Sequence, residues 1–230
     1  ISWNYSFSVY LVGIPLGILA LITVPQTSQE RSKKPGGEGS VLTIFRNTHI
    51  LFGIYGLQYL SMVLLYVTVV FLPQLLDTAG ISNPFYISLF LVVATLTSAL
   101  TSLVYGKIKS ELSYKMIVLV TVGLFVAAFC TISQSNHIFV IVFSLVLFGI
   151  GRGIIFPALP VWVGETVPAA FRGRIISYLS TIGYIGQFSS PLVFGPFFSM
   201  GGFSSIFLAA GVICIVVFLL SVVLIKGKGS

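Results

Sequence analysis

Seven apolar runs alternate with shorter polar segments along the chain, over 5–24, 48–72, 84–105, 115–132, 138–163, 175–198 and 203–225. A helix needs about 20 mostly apolar residues to cross the hydrocarbon core of a bilayer. A strand of a membrane barrel crosses in about 10 residues of alternating polarity. The runs are too long and too uniformly apolar for strands, so the pattern predicts seven spanning helices. One long polar stretch, 26–40, reads QTSQERSKKPGGEGS. Its Pro, Gly, Ser and charge predict a flexible linker, which continues to 46 and separates one leading helix from six. The connections at 76–83, 106–115, 133–137 and 199–202 are short and predict antiparallel neighbours.

Composition agrees with the pattern. The chain of 230 residues is 57% hydrophobic and 7% charged, against about 25% charged for a soluble domain. It cannot cover a water-facing surface and is read as an integral membrane protein in contact with the lipid bilayer. The net charge of +7 would fit nucleic acid only if the basic residues formed a stripe. They fall instead in alternate loops: Arg31, Lys33, Lys34 and Arg46, then Lys107, Lys109 and Lys115, then Arg172 and Arg174, then Lys226 and Lys228. The opposite loops hold Asp77 and no Lys or Arg. This is the positive-inside pattern. It predicts a multi-pass protein of the cell membrane with the linker and C-terminus cytoplasmic, and no nucleic-acid partner.

Arg152 is the one basic residue off that face. It stands within LFGIGRGIIFPALPVWVGETVPAAFRGR, at 147–174. A charge inside a membrane-length run is costly and needs a partner or a water-lined space. Arg152 is read either as a cavity-facing cation that holds an anionic group or pairs with a carboxylate from outside this chain, or as an arginine satisfied by nearby backbone carbonyls or by snorkelling. Gly149, Gly151 and Gly153 leave space beside it and allow a close helix approach. Pro157 and Pro160 bend the same run.

Polar side chains recur at helical spacing elsewhere. Tyr55, Gln58, Tyr59, Met62 and Tyr66 form one stripe, and Ser177, Ser180, Thr181, Tyr184 and Gln187 a second. Ser88, Thr95, Ser98 and Ser102 form a weaker third. Such faces turn toward protein or a wet cavity rather than lipid, so the stripes predict either a cavity lining or hydrogen bonds between helices. Pro191 and Pro196, with Gly183, Gly186 and Gly195, mark a flexing helix. No Asp or Glu falls inside any of the runs, so a proton-coupling carboxylate is not expected in this chain. Cys130 and Cys214 lie in separate runs and read as apolar helix residues. No His/Cys metal spacing, phosphate-binding glycine loop or Gly-x-Ser-x-Gly is present. The chain is therefore expected to be no enzyme, to carry no cofactor or metal, and not to use ATP.

Four segments resemble the C-terminal half of a major facilitator superfamily (MFS) transporter. They are SWNYSFSVYLVGIPLGILALITVP at the start, GKIKSELSYK at 106–115, GIGRGIIFPALPVWVGETVPAAFRGR, and IGYIGQFSSPLVFGP at 182–196. In the second, Gly106, Ile108 and Lys115 fit the family's loop motif, while Ser110, Glu111 and Tyr114 depart from it. The resemblance implies an all-α integral membrane fold: family helix six at 1–25, a cytoplasmic linker at 26–46, and a C-terminal six-helix bundle at 47–230. It implies that helices one to five belong to an N-terminal half, in the same chain or supplied by a partner. The function implied is secondary active transport of a small solute by alternating access, with an anionic substrate and drug efflux as the two substrate readings. A non-transporting membrane scaffold or sensor, and a half-size subunit needing a partner, are the alternatives. Arg152, Tyr55, Gln58, Tyr59, Tyr184 and Gln187 are the expected cavity residues. Glu165, Arg172, Arg174, Pro157 and Pro191 are the expected gating residues.

Overall fold

The computed structural model describes residues 13–23, 49–134 and 137–226. The chain divides into two units, Ile1–Glu38 and Gly39–Ser230. In the first, α1 spans Gly13–Thr23, inside the leading run; the remainder of that run and the linker lie outside the described residues. The second unit holds α2 (Ile50–Thr78), α3 (Pro84–Leu103), the short α4 (Tyr105–Glu111), α5 (Tyr114–Ser133), α6 (Ile138–Thr166), α7 (Ala169–Phe194) and α8 (Phe198–Lys226). Five stretches of the described chain are long and apolar enough to cross a membrane, and the fifth, Ala169–Val223, contains both α7 and α8.

Local chemistry sets the ends of these helices. Asn83 caps α3 by accepting from the Phe85 amide at 2.9 Å, with Pro84 as the first helical residue. Ser113 caps α5 in the same way. Pro168 starts α7 immediately after the extended Val167, six residues earlier than the apolar run, so Arg172 and Arg174 stand on the first turns of a helix. Between α7 and α8 the chain makes a 3₁₀ turn at Gly195–Phe197 and then leaves helical geometry at Gly201 and Gly202. Gly202 has φ +67°, which favours glycine. α2 runs on through Pro73 to Thr78 rather than stopping at Leu72. The proline withholds one amide from its helix, and membrane helices tolerate that where neighbours re-satisfy the backbone.

Packing directions follow from which residues meet. Ala94 and Thr97 of α3 lie against Gly149 of α6, and Ser98 and Thr101 against Gly153, so α3 and α6 run parallel. Gln58 and Tyr59 of α2 lie against Gly183 and Gly186 of α7, and Ser190 bonds to Val63, so α2 and α7 also run parallel. α5 is antiparallel to α6, with Tyr114 stacked on Trp162 at one end and Phe129 against Phe148 toward the other. It is antiparallel to α8 as well, pairing Gly123 with Phe218 and Cys130 with Gly211. The most extensive contacts join α5 to α8, α3 to α6, α5 to α6, and α2 to α7. Short loops predict that consecutive helices are the main partners; for α2–α3 and α7–α8 they are not. Two of these pairs, α3–α6 and α2–α7, join helices of like direction across intervening ones, where small residues permit close approach.

Candidate functional site

Arg152 stands at the middle of α6, equidistant from Ile138 and Thr166. At about 1.5 Å per residue that places it some 21 Å from either helix end. Its neighbours face different ways. Gly151 is turned to Phe125 and Thr121 of α5, while Gly149 and Gly153 are turned to α3. Arg152 is half-buried, and its Cζ lies 5.8 Å from the ring centroid of Phe156, one turn along, which is itself exposed. Among the described residues no carboxylate pairs with it. The prolines of α6 have a visible consequence here. Pro157 has no amide to donate to the carbonyl of Gly153, and Ser102 of α3 donates its hydroxyl to that oxygen at 2.9 Å.

The stripe on α2 is folded against α7. Tyr55 is buried and donates its hydroxyl to the Ile175 carbonyl at 2.7 Å. Tyr59 and Ser189 share a hydrogen bond at 2.8 Å, and Ser190 donates to the Val63 carbonyl at 2.9 Å. Gln58 is buried, with its Nε2 beside Gly183. The amide of Gln187 donates to the sulfur of Met62 at 3.6 Å.

The stripe on α7 faces the other way. Ser177, Ser180, Thr181 and Tyr184 are exposed on a helix that otherwise reads as membrane-spanning. Along one edge of this face is a groove of about 460 Å³, lined by Tyr66 and Val70 of α2 and by Tyr184, Gln187, Phe188 and Pro191 of α7. Tyr184 is 68% exposed and Phe188 76%.

Arg152 and Tyr184 stand at one depth in the bundle. Thr68 of α2 lines a small internal cavity with Leu145 and Phe148 of α6. Tyr55, nearer the start of α2, bonds instead to Ile175 just beyond the end of α6. α2 and α6 are therefore antiparallel. Six residues back from Thr68, about 9 Å along the axis, is Met62, level with the stretch of α6 around Arg152. Met62 in turn lies against Gly183 and Gly186, on either side of Tyr184.

Of the expected gating residues, Glu165, Arg172 and Arg174 lie at the end of the bundle that carries the basic loops, while Pro157 lies near the middle of α6 and Pro191 near the opposite end of α7. Glu165 is exposed in the last turn of α6, with Lys109 of α4 at 4.0 Å. Arg172 donates from Nε to the Val167 carbonyl at 3.0 Å and is exposed, as is Arg174. Pro157 is half-buried within α6, and Pro191 is exposed within α7.

Sequence reasoning did not assemble the cluster around Glu165. Tyr114 stacks on Trp162, with centroids 4.6 Å apart and planes 3° from parallel, and the Lys109 ammonium sits 4.0 Å from the Tyr114 centroid. Tyr105 is buried, and its hydroxyl has no hydrogen-bond partner among the described residues. Burial raises its phenol above the ordinary value, and the nearby charge of Glu165 adds to the shift. A signal for this cluster is present in the sequence: Tyr105, Ile108, Lys109 and Leu112 follow helical spacing, although 106–115 lies between two apolar runs as a short charged connection.

These helices define a polytopic helical membrane protein. The sequence model of the Major Facilitator Superfamily matches residues 66–229, and the chain belongs to that family of membrane transporters. No curated protein matches the chain.

Proposed function

We propose that the chain is the C-terminal half of a secondary transporter that moves a small solute across the cell membrane by alternating access, with its basic end in the cytoplasm. The observation that carries this reading is the exposed polar face of α7. Hydroxyls in a row on a membrane-length helix belong against protein or water and not against lipid. A solute pathway between two halves supplies that setting, and binding at such a repeat interface near the midplane is how secondary transporters are built. Arg152, at the depth of Tyr184, lies where such a pathway would run.

In this reading Tyr184, Gln187 and Arg152 line the pathway. Tyr55, Gln58 and Tyr59 hold α7 on α2 behind it. Glu165 is the inner-gate carboxylate, exchanging Lys109 for cations presented across the cytoplasmic face, with Arg172 and Arg174 beside it. Pro157 and Pro191 are the points at which α6 and α7 flex.

The test is aqueous access. Thr181→Cys and Tyr184→Cys, introduced separately into the full-length protein in liposomes, are expected to react with a membrane-impermeant thiol reagent. Transported solute is expected to change the side from which they react. Thiols unreactive from both sides, together with no flux across a broad solute panel, would sink the reading and leave a non-transporting scaffold.

A further inference from the structure

We infer that the transported solute is an organic monoanion with a flat apolar body, its anionic group held at Arg152 and its body lying along the aromatic groove between α2 and α7. This rests on the transport reading above and deepens it by naming the substrate class.

Charge decides the sign. Arg152 is at the midpoint of α6, half-buried, and paired with no carboxylate among the described residues. Asp77 and Glu165 lie in the last turns of α2 and α6 respectively, far along their helices from the level of Arg152. A half-buried cation left unpaired in a membrane span is costly, and an anion arriving from water reduces that cost. A cationic solute would add a second positive charge and meet no carboxylate at this depth among the described residues; Glu111 ends the short α4. The number of charges follows in the same way. The other Lys and Arg residues of the described helices lie at helix ends: Lys107 and Lys109 on α4, Lys115, Arg172 and Arg174 on the first turns of α5 and α7, and Lys226 as the last residue of α8. One guanidinium balances one negative charge, and a dianion would bring an unbalanced charge to the same place. The planar guanidinium fork suits a carboxylate or sulfonate, each of which accepts two parallel hydrogen bonds.

The surroundings decide the body. Phe156 lies next to the guanidinium. At the same depth, Tyr184 and Phe188 present most of their ring surface outward, with Tyr66 across the groove. These rings offer broad apolar faces and few hydrogen-bond groups. Gln187, the amide among them, is turned to Met62. A small inorganic anion would leave the rings uncovered. A flat apolar body covers them and gains ring stacking.

Three probes of fixed charge separate these features: naphthalenesulfonate, methanesulfonate, which lacks the rings, and naphthylmethylammonium, which reverses the charge. Binding to the purified full-length protein in detergent and flux in liposomes are measured for each. The expected result is that naphthalenesulfonate binds and is carried, and that neither other probe competes with it. Arg152→Gln should weaken its binding by about tenfold or more, Arg152→Lys by less, and Tyr184→Ala by several-fold. Elution of Arg152→Gln as a monodisperse species guards against misfolding. Equal or tighter binding of the ammonium probe, undiminished binding by Arg152→Gln, or binding of none of the three would overturn the proposal. The two readings fail separately. Arg152-dependent binding without flux sustains the anion site and overturns transport. Flux of the ammonium probe untouched by Arg152→Gln sustains transport and overturns the anion site.

Discussion

The bundle contains two parallel helix pairs that combine glycine contacts and hydrogen bonds in different proportions. α3 and α6 meet chiefly where side chains are missing, with one bond across from Ser102 to Gly153. A Cβ on Gly149 would stand 2.7 Å from the Ala94 carbonyl oxygen, and one on Gly153 would stand 2.5 Å from that of Ser98. α2 and α7 also meet at glycines, Gly183 and Gly186, but add more polar groups, with Tyr55, Tyr59 and Ser190 bonding across the interface. The membrane explains why both solutions work. Lipid tails are as apolar as leucine, so helix association comes from close van der Waals contact and interhelical hydrogen bonds rather than from water exclusion. The first solution resists any change of residue. The second distributes its stabilisation over several modest bonds and leaves the opposite face of α7 open for polar groups.

The largest expected effect tests the glycine contact. Gly153→Leu forces side-chain atoms into the Ser98 backbone and Thr101, so α3 and α6 must separate. The expected destabilisation is about 3 kcal/mol, read as a lower midpoint of thermal unfolding in detergent. Gly164→Ala, whose Cβ would meet nothing, serves as a control expected within about 0.5 kcal/mol of the parent. An unchanged midpoint for Gly153→Leu would mean that the two helices are not in backbone contact.

The second pair is sharpened by two alanines one turn apart. On Gly186 a Cβ would lie 2.8 Å from the Tyr59 carbonyl, which is backbone; on Gly183 it would lie 2.9 Å from Gln58 Nε2, the end of a movable side chain. Gly186→Ala is expected to cost about 1–2 kcal/mol and Gly183→Ala distinctly less, measured by the same unfolding experiment. Reversal of that order would place the backbone contact elsewhere. Ser190→Ala removes one hydrogen bond to Val63 and is expected to cost about 0.6 kcal/mol, the usual size of such a bond in a membrane bundle. A loss several times larger would show that the α2–α7 bonds act as one cooperative unit.

The smallest effect lies outside both pairs. Glu165 is more than half exposed and its contact with Lys109 is long, so Glu165→Gln is expected to change stability by less than about 0.5 kcal/mol. Under the gating proposal the same variant alters solute flux while leaving the unfolding midpoint in place. Flux and midpoint both unchanged would remove Glu165 from the gate.

Much of this was written in the sequence because the bilayer imposes simple rules. Length and apolarity marked the long helices, since an unsatisfied backbone has no other way to cross hydrocarbon. The placement of Lys and Arg marked which ends lie together, and Arg152 was conspicuous as the one basic residue away from them. Helix ends were less legible. The apolar run ends at 72, yet α2 continues through Pro73 to Thr78, and the α7 start is hidden behind the charges of Arg172 and Arg174. The segment 106–115 reads as a loop because it is short and charged between two apolar runs, yet with Tyr105 it carries helical spacing, and Tyr105–Glu111 forms α4.

What only the tertiary structure decided is how the polar stripes divide. Tyr55, Gln58 and Tyr59 look in sequence like Tyr184 and Gln187: polar, at helical spacing, on apolar helices. Spacing fixes which residues share a face, but not what that face meets. That depends on the parallel pairing of α2 with α7, between helices more than a hundred residues apart in the chain. The pairing is set by Gly183 and Gly186 meeting the Gln58–Met62 segment. It turns the α2 stripe inward into hydrogen bonds and leaves Tyr184 outward at the depth of Arg152.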